Sequence, residues 1–194
     1  MKYSVAIFLS LISAAQAFAA VGAVSTATGG SGRGAVEPVD GILLNPATIS
    51  DLPNKNFTYN YSLDQWALTV ADNGSESYFP AALKYIKTKN TAVDTGQLGL
   101  SVASRRWKKI AVGGTVSMVE YTNYLSNVTQ EKFRQSTLDL AATYALTTNF
   151  GIGLVANKLA SNSISMPENL QIQKTTALGM SYTYLNFARF RLDI

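Results

Sequence analysis

From residue 55 onward the dominant hydrophobic period is two. In KIAVGGTVSMVEY, Ile110, Val112, Val116 and Met118 share one face, and Ala111, Gly113, Thr115 and Ser117 share the other. STLDLAATYAL sets Leu138, Leu140, Ala142, Tyr144 and Leu146 against Thr137, Asp139, Ala141 and Thr143. TALGMSYTYL sets Leu178, Met180, Tyr182 and Tyr184 against Ala177, Gly179, Ser181 and Thr183. Side chains alternate across a strand, so each segment predicts one large apolar face and one small, weakly polar face. No segment sustains a helical period. The pattern predicts an all-β chain with nine strands at about 56–63, 66–72, 78–88, 96–104, 109–121, 134–146, 150–160, 173–184 and 187–194.

Several of these segments have ten or more residues, whereas strands of soluble domains average about five or six. A tilted strand needs about 9–11 residues to cross a bilayer. The connections from residue 73 alternate short and long: NGSES, NTAVDT, RRWK, TNYLSNVTQEKF, TTN, SNSISMPENLQI, LN. Outer-membrane barrels pair short periplasmic turns with longer external loops. Aromatics collect near the strand ends, with Phe57, Phe79, Trp107, Tyr144, Phe150 and Tyr184 toward the turns and Tyr85, Tyr121, Tyr124 and Phe133 toward the loops. Girdles of this kind suit bilayer interfaces, where a ring meets both hydrocarbon and water. The expected fold is an antiparallel transmembrane β-barrel of about 8–10 strands, with large faces toward lipid and small faces toward the lumen. The competing reading of the same alternation is a secreted β-sandwich binding module.

Composition narrows the chemistry. Charged residues make up 14% of the chain and hydrophobic ones 47%, against about a quarter charged in a typical soluble domain. Much of the surface is therefore expected to face something other than water. Cys and His are both absent, which removes His- or Cys-based zinc sites, the Ser-His-Asp triad, Cys-His nucleophiles and disulfide staples. No acid/base constellation points to an enzyme, and no catalytic residue, metal or cofactor is assigned. RRWKK, residues 105–109, is the densest basic cluster, too sparse a signal for nucleic-acid binding.

The first nineteen residues form a secretory signal layout: basic Lys2, an apolar run from Val5 to Ile12, and small residues at Ala17 and Ala19. The apolar run is too short to span a bilayer as a helix. With residues 1–19 removed as signal peptide, about 175 residues remain, enough for one domain. These divide into an N-terminal segment, 20–54, and the strand region, 55–194. Val36, Ile42, Leu43 and Leu44 in the N-terminal segment need cover, yet the segment is too short and Gly-rich to form its own core. A place inside the barrel mouth would supply that cover. Pro46 biases Asn45 toward an extended backbone, and Asn45 can close an Asx turn. Arg33, Glu37 and Asp40 are then available to the barrel wall. GGSGRG is not read as a phosphate loop, since it follows no strand, opens no helix and lacks the Gly-Lys-Ser/Thr ending.

The stretch GGSGRGAVEPVDGILLNPATI, residues 29–49, resembles the N-terminal signature of the FadL/TodX-type outer-membrane transport family: a Gly-Arg-Gly/Ala step, an acidic stretch, then Asn-Pro-Ala just before the first strand. The resemblance implies a hatch folded into the barrel, with Arg33, Asn45, Pro46 and Ala47 as hatch or gating positions. It also implies passage of small hydrophobic compounds such as fatty acids. It covers about thirty residues, and beyond them only general barrel patterning is shared. Members of that family have fourteen strands; nine here means either one strand miscounted or a chain cut short, because a barrel with a periplasmic N-terminus needs an even count. The last segment, FARFRLDI, also lacks the usual terminal aromatic. Asp139, Arg189 and Arg191 are candidate lumen charges, either a selectivity group or a structural salt bridge between barrel and plug. The expected location is the cell outer membrane of a Gram-negative envelope. The expected partners are outer-membrane lipid, the barrel-assembly machinery and hydrophobic small molecules, with a structural barrel without transport as the alternative.

Overall fold

The computed structural model describes residues 32–34, 42–89, 93–123, 131–162, 173–185 and 188–194. The expected signal peptide, Val36, Glu37, Asp40 and Tyr124 lie outside the described residues. Nine strands follow one another: β1 (Lys55–Tyr61), β2 (Gln65–Asp72), β3 (Ala81–Thr88), β4 (Val93–Ala103), β5 (Ile110–Asn123), β6 (Glu131–Ala145), β7 (Phe150–Asn162), β8 (Thr175–Tyr184) and β9 (Ala188–Asp193). They form one antiparallel sheet in which every strand pairs with its neighbours in sequence. A sandwich needs two packed sheets, so this single sheet argues against the sandwich reading.

The period-two pattern fixes which face each side chain takes. On β5 the small or polar residues Ala111, Thr115 and Ser117 are buried, while Val112, Val116 and Met118 are exposed. Thr115 is 1% accessible and its neighbour Val116 is 60% accessible. The same inversion runs through β7, where Val155 is buried and Leu154 exposed, and through β9, where Phe190 and Leu192 point outward. The outer face is apolar and uncovered, and the inner face is small and covered. A water-soluble sheet would do the reverse.

Several boundaries differ from the sequence reading. Residues 78–80 do not open β3: Pro80 cannot donate to a ladder, Tyr78 and Phe79 are exposed, and pairing starts at Ala81. β5 and β6 run further, to Asn123 and from Glu131, extended by polar cross-strand pairs. Arg134 Nε donates to Glu120 Oε2 at 3.0 Å across that extension. The expected twelve-residue loop shrinks accordingly. Tyr121 is not a girdle residue: its odd position places it on the inner face of β5, where it is buried. A register shift between Leu138 and Leu140 marks a bulge that lets β7 carry extra residues opposite Asp139. Lys158 adopts a positive φ of 56° there, and its N–H donates to Asp139 Oδ1 at 2.8 Å.

Among the described residues β1 pairs only with β2, and β9 only with β8. The sheet therefore has two edges, and the expected closure into a barrel is not observed. The core lies between the inner face and the N-terminal segment. Ile42, Ile49 and Leu52 cluster with Ala71, Ala82 and Ala103; Leu43 clusters with Ala67 and Ile86; Ala47 clusters with Ala141 and Val155.

Candidate functional site

The site is the contact between that segment and the inner face. Residues 42–44 make a helical turn, and Pro46–Asp51 form a short 3-10 helix. Asn45 links the two in extended conformation, φ −151° and ψ 104°, as expected of a residue before proline. Its Oδ1 accepts from Ala47 N at 3.0 Å, the Asx turn read from the sequence, and its Nδ2 donates to the Arg33 carbonyl at 2.7 Å. Asn45, Pro46 and Ala47 are buried. One amide side chain thus satisfies both the start of the 3-10 helix and a turn twelve residues upstream.

Glycine lets the backbones meet. A Cβ at Gly113 on β5 would come within 2.7 Å of Ala47 N. One at Gly179 on β8 would come within 2.7 Å of Gly34 N, and one at Gly153 on β7 would collide with the Arg33 carbonyl. These three inner-face positions form a trough that only a side-chain-free strand residue provides. The sequence reading puts the N-terminal segment against the small inner face without saying which residues meet. In the structure they meet backbone to backbone at these glycines.

Ion pairs fix the segment at two points. Asp193 Oδ2 on β9 accepts from Gly32 N at 3.0 Å, Arg33 N at 3.2 Å and Arg33 Nη1 at 2.9 Å. Asp51 receives Arg106 from the β4–β5 turn, with Arg106 Nε to Asp51 Oδ1 at 2.7 Å, and Arg106 Nη2 also reaches Thr143 Oγ1 at 3.2 Å. Asn73 Nδ2, just past β2, donates to the Ser50 and Leu52 carbonyls at 3.0 and 2.9 Å.

The structure thus brings Arg33, Asn45, Pro46 and Ala47 into one contact region, with Arg191 at its edge and Asp139 elsewhere. Asp139 sits at the β6–β7 bulge, where it caps Lys158 N. Arg191 lies beside Gly32, whose added Cβ would be 3.4 Å from Arg191 Nη1. Arg189 falls in β9. The carboxylate that holds the segment is Asp193, which sequence reasoning missed. Its only signal was its place, beside two arginines on a strand whose alternation was otherwise clear. Asp51, Arg106 and Asn73 were missed for a related reason, since Asp51 ends the short 3-10 helix and the other two lie in turns, where no periodicity assigns a face. On the outer side, Val102, Val112, Leu140 and Leu154 frame a shallow apolar depression over Gly114 and Ala142, about 710 Å³ in volume.

No family model matches the chain, and neither a curated protein nor a solved structure matches it. The resemblance of residues 29–49 therefore rests on those residues themselves.

Proposed function

We propose that the protein is an outer-membrane β-barrel whose N-terminal segment is a hatch over a passage for small hydrophobic compounds such as fatty acids. The observation that carries the reading is the inverted sheet: large apolar side chains uncovered outside, small and polar ones covered inside by residues 32–34 and 42–52. Hydrocarbon suits the outer face, and in hydrocarbon a sheet is tolerated only when its edges are satisfied. The Gly-Arg-Gly and Asn-Pro-Ala steps that resemble the transport family's signature both lie at the contact.

The test is the double variant Asn45→Ala, Pro46→Ala. It removes the Asx turn, the Arg33 carbonyl bond and the proline restriction while leaving every strand residue intact. The expected outcome is faster or misregulated uptake of a hydrophobic probe into liposomes or a transport-deficient host, no change for a polar probe, and normal heat-modifiable migration. Absence of any probe flux through wild type, hatch deletion and double variant would sink the transport reading. The second reading, a structural barrel without transport, is favoured by the glycine trough, which fills interior volume with backbone. It predicts weakened envelope integrity in the double variant and no selective flux.

A further inference from the structure

The apolar depression on the outer face begins beside a basic turn. Direct strand partners set its two rows: Val102, Gly114 and Leu140 in one, Val112, Ala142 and Leu154 in the next. Large and small residues alternate along each row and swap between the rows. Gly114 and Ala142 therefore sit low between tall neighbours, and the hollow has a volume of about 710 Å³, within the range of about 300–1,000 Å³ of small-molecule sites. The turn between β4 and β5 closes its end. Ser104, which lines the hollow, donates its N–H to the Val112 carbonyl at 2.7 Å, and Trp107 and Ile110 exchange backbone bonds at 2.9 and 3.0 Å. At about 3.4 Å per residue, Val112 and Gly114 lie about 7 and about 14 Å along the strand from Ile110.

Three cations stand at that turn. Arg105, Lys108 and Lys109 are all exposed, so their charge is presented outward. Lys108 Nζ lies 4.8 Å over the centre of the Trp107 ring, which is itself 69% exposed. Lys109 Nζ donates to the Leu146 carbonyl at 2.7 Å. Arg105 Nη2 donates to the Gly74 and Ser77 carbonyls at 2.7 and 2.6 Å, in the turn that leads to Phe79, another residue lining the hollow. Each of these partners is a neutral group, and none of the three cations enters a salt bridge among the described residues. Asp72 attracts Arg105 from the end of β2, but it gives Oδ1 to Gly74 N and Oδ2 to Ser77 Oγ. An exposed ammonium on an indole, with an apolar hollow leading away from it, fits a molecule that is anionic at one end and hydrocarbon at the other.

We propose that this end of the outer face binds one anionic phospholipid, with its phosphate against Lys108 and one acyl chain laid past Ile110 into the hollow over Gly114 and Ala142. The site rests on the barrel reading, which puts the turn at the periplasmic surface and the hollow in hydrocarbon. Arg105 and Lys109 flank Lys108 and add to the positive field without having to touch the phosphate. A zwitterionic lipid offers the same chains and no net charge, so the cations make the site selective and the hollow makes it tight.

Native mass spectrometry tests it on the full chain folded in detergent, titrated with phosphatidylglycerol or with phosphatidylcholine of the same acyl chains. Wild type is expected to take up one phosphatidylglycerol saturably and to bind phosphatidylcholine more weakly. Lys108→Asn, a residue that tolerates the positive φ of 56° at that position, should cut the phosphatidylglycerol affinity about fivefold, the scale of one basic residue at an anionic surface, and leave phosphatidylcholine unchanged. Ala142→Leu fills the hollow and should weaken both lipids, whereas Lys132→Asn, at the far end of β6, should change neither. Equal, unsaturable uptake of the two lipids overturns the proposal, as does undiminished phosphatidylglycerol binding in Lys108→Asn. Displacement of phosphatidylglycerol by glycerol 3-phosphate at equal concentration also overturns it, since the hollow would then contribute nothing. If Ala142→Leu fails to fold, Lys108→Asn decides alone. Heat-modifiable migration and retention in washed phosphatidylcholine vesicles check the barrel reading separately: a chain that stays soluble fails that reading and the site with it, and an inserted chain without the lipid preference fails the site alone.

Discussion

Gly153→Ala isolates the docking of the N-terminal segment from the stability of the sheet. The added Cβ would run into the Arg33 carbonyl group, 2.6 Å from its carbon, and would stand 2.9 Å from Asn45 Nδ2. Both are held by the bond between them, 2.7 Å long, so neither yields without losing it. Overpacking of this kind costs about 1–3 kcal/mol, and the lost hydrogen bond adds about 0.5–1.5 kcal/mol. Together, roughly 1.5–4.5 kcal/mol is charged to the docked segment, which raises its open population about ten- to a thousand-fold at 1.4 kcal/mol per decade. β7 itself should not suffer, because alanine loses less backbone entropy than glycine in a strand. Hydrogen exchange at Ala47 and Thr48, whose amides bond to Asn45 Oδ1 and Asn45 O, reads the opening directly. Gly114→Ala is the matched control: on the outer face its Cβ meets Leu140 Cδ2 at 3.1 Å, the movable end of a side chain. Equal exchange in the two variants, or loss of protection in β6–β8 of Gly153→Ala, would refute the backbone-in-trough account.

Asp193→Asn keeps the shape but removes the charge that three donors share, so it should cost about 1.5–3 kcal/mol and expose residues 32–34 to exchange while 46–51 stay protected. Arg106→Met should do the converse, loosening Asp51 and the 3-10 helix while leaving Gly32 and Arg33 slow; identical exchange maps for the two would mean that the segment has one anchor rather than two. Cysteines at Asn127 and Thr148 report orientation: an impermeant thiol reagent on intact cells should label the first, in the long connection, and spare the second, in the turn between β6 and β7.

The strands were legible because their chemistry repeats every second residue. On β5 eight positions from Ile110 to Met118 agree on two faces, and the structure keeps that assignment without a slip. Legibility failed where no period operates. Residues 78–80 read as the start of a strand, yet Pro80 has no donor and pairing begins only at Ala81. Tyr121 read as a girdle residue from its place near the loop end of β5, but its parity turns it to the inner face. The Asx turn at Asn45 was legible because it is local, closed within two residues. The Arg33–Asp193 pair spans 160 positions, and nothing in either neighbourhood names the other. Gly113, Gly153 and Gly179 were visible as small residues, but absence of a side chain cannot tell open space from close contact.

Nine consecutive antiparallel strands send β1 and β9 in the same direction, so a seam between those two edges would be parallel, and antiparallel completion would take a strand running the other way. The N-terminal segment already spans both ends: Arg33 is tied to Asp193 in β9, and Ser50 and Leu52 are tied to Asn73 beside β2. It therefore links β9 to the end of β2 as well as covering the inner face. In the proposed barrel, releasing either anchor would disturb the wall together with the proposed passage, and a change in flux would then say little about gating. Asn45 and Pro46 stand between the anchors and belong to neither. Their replacement leaves Asp193, Arg106 and Asn73 with their partners, so the middle of the segment is freed while its ends still hold the sheet. For that reason the Asn45/Pro46 variant separates a hatch from a strut, whereas Asp193→Asn and Arg106→Met measure what each end contributes to the wall.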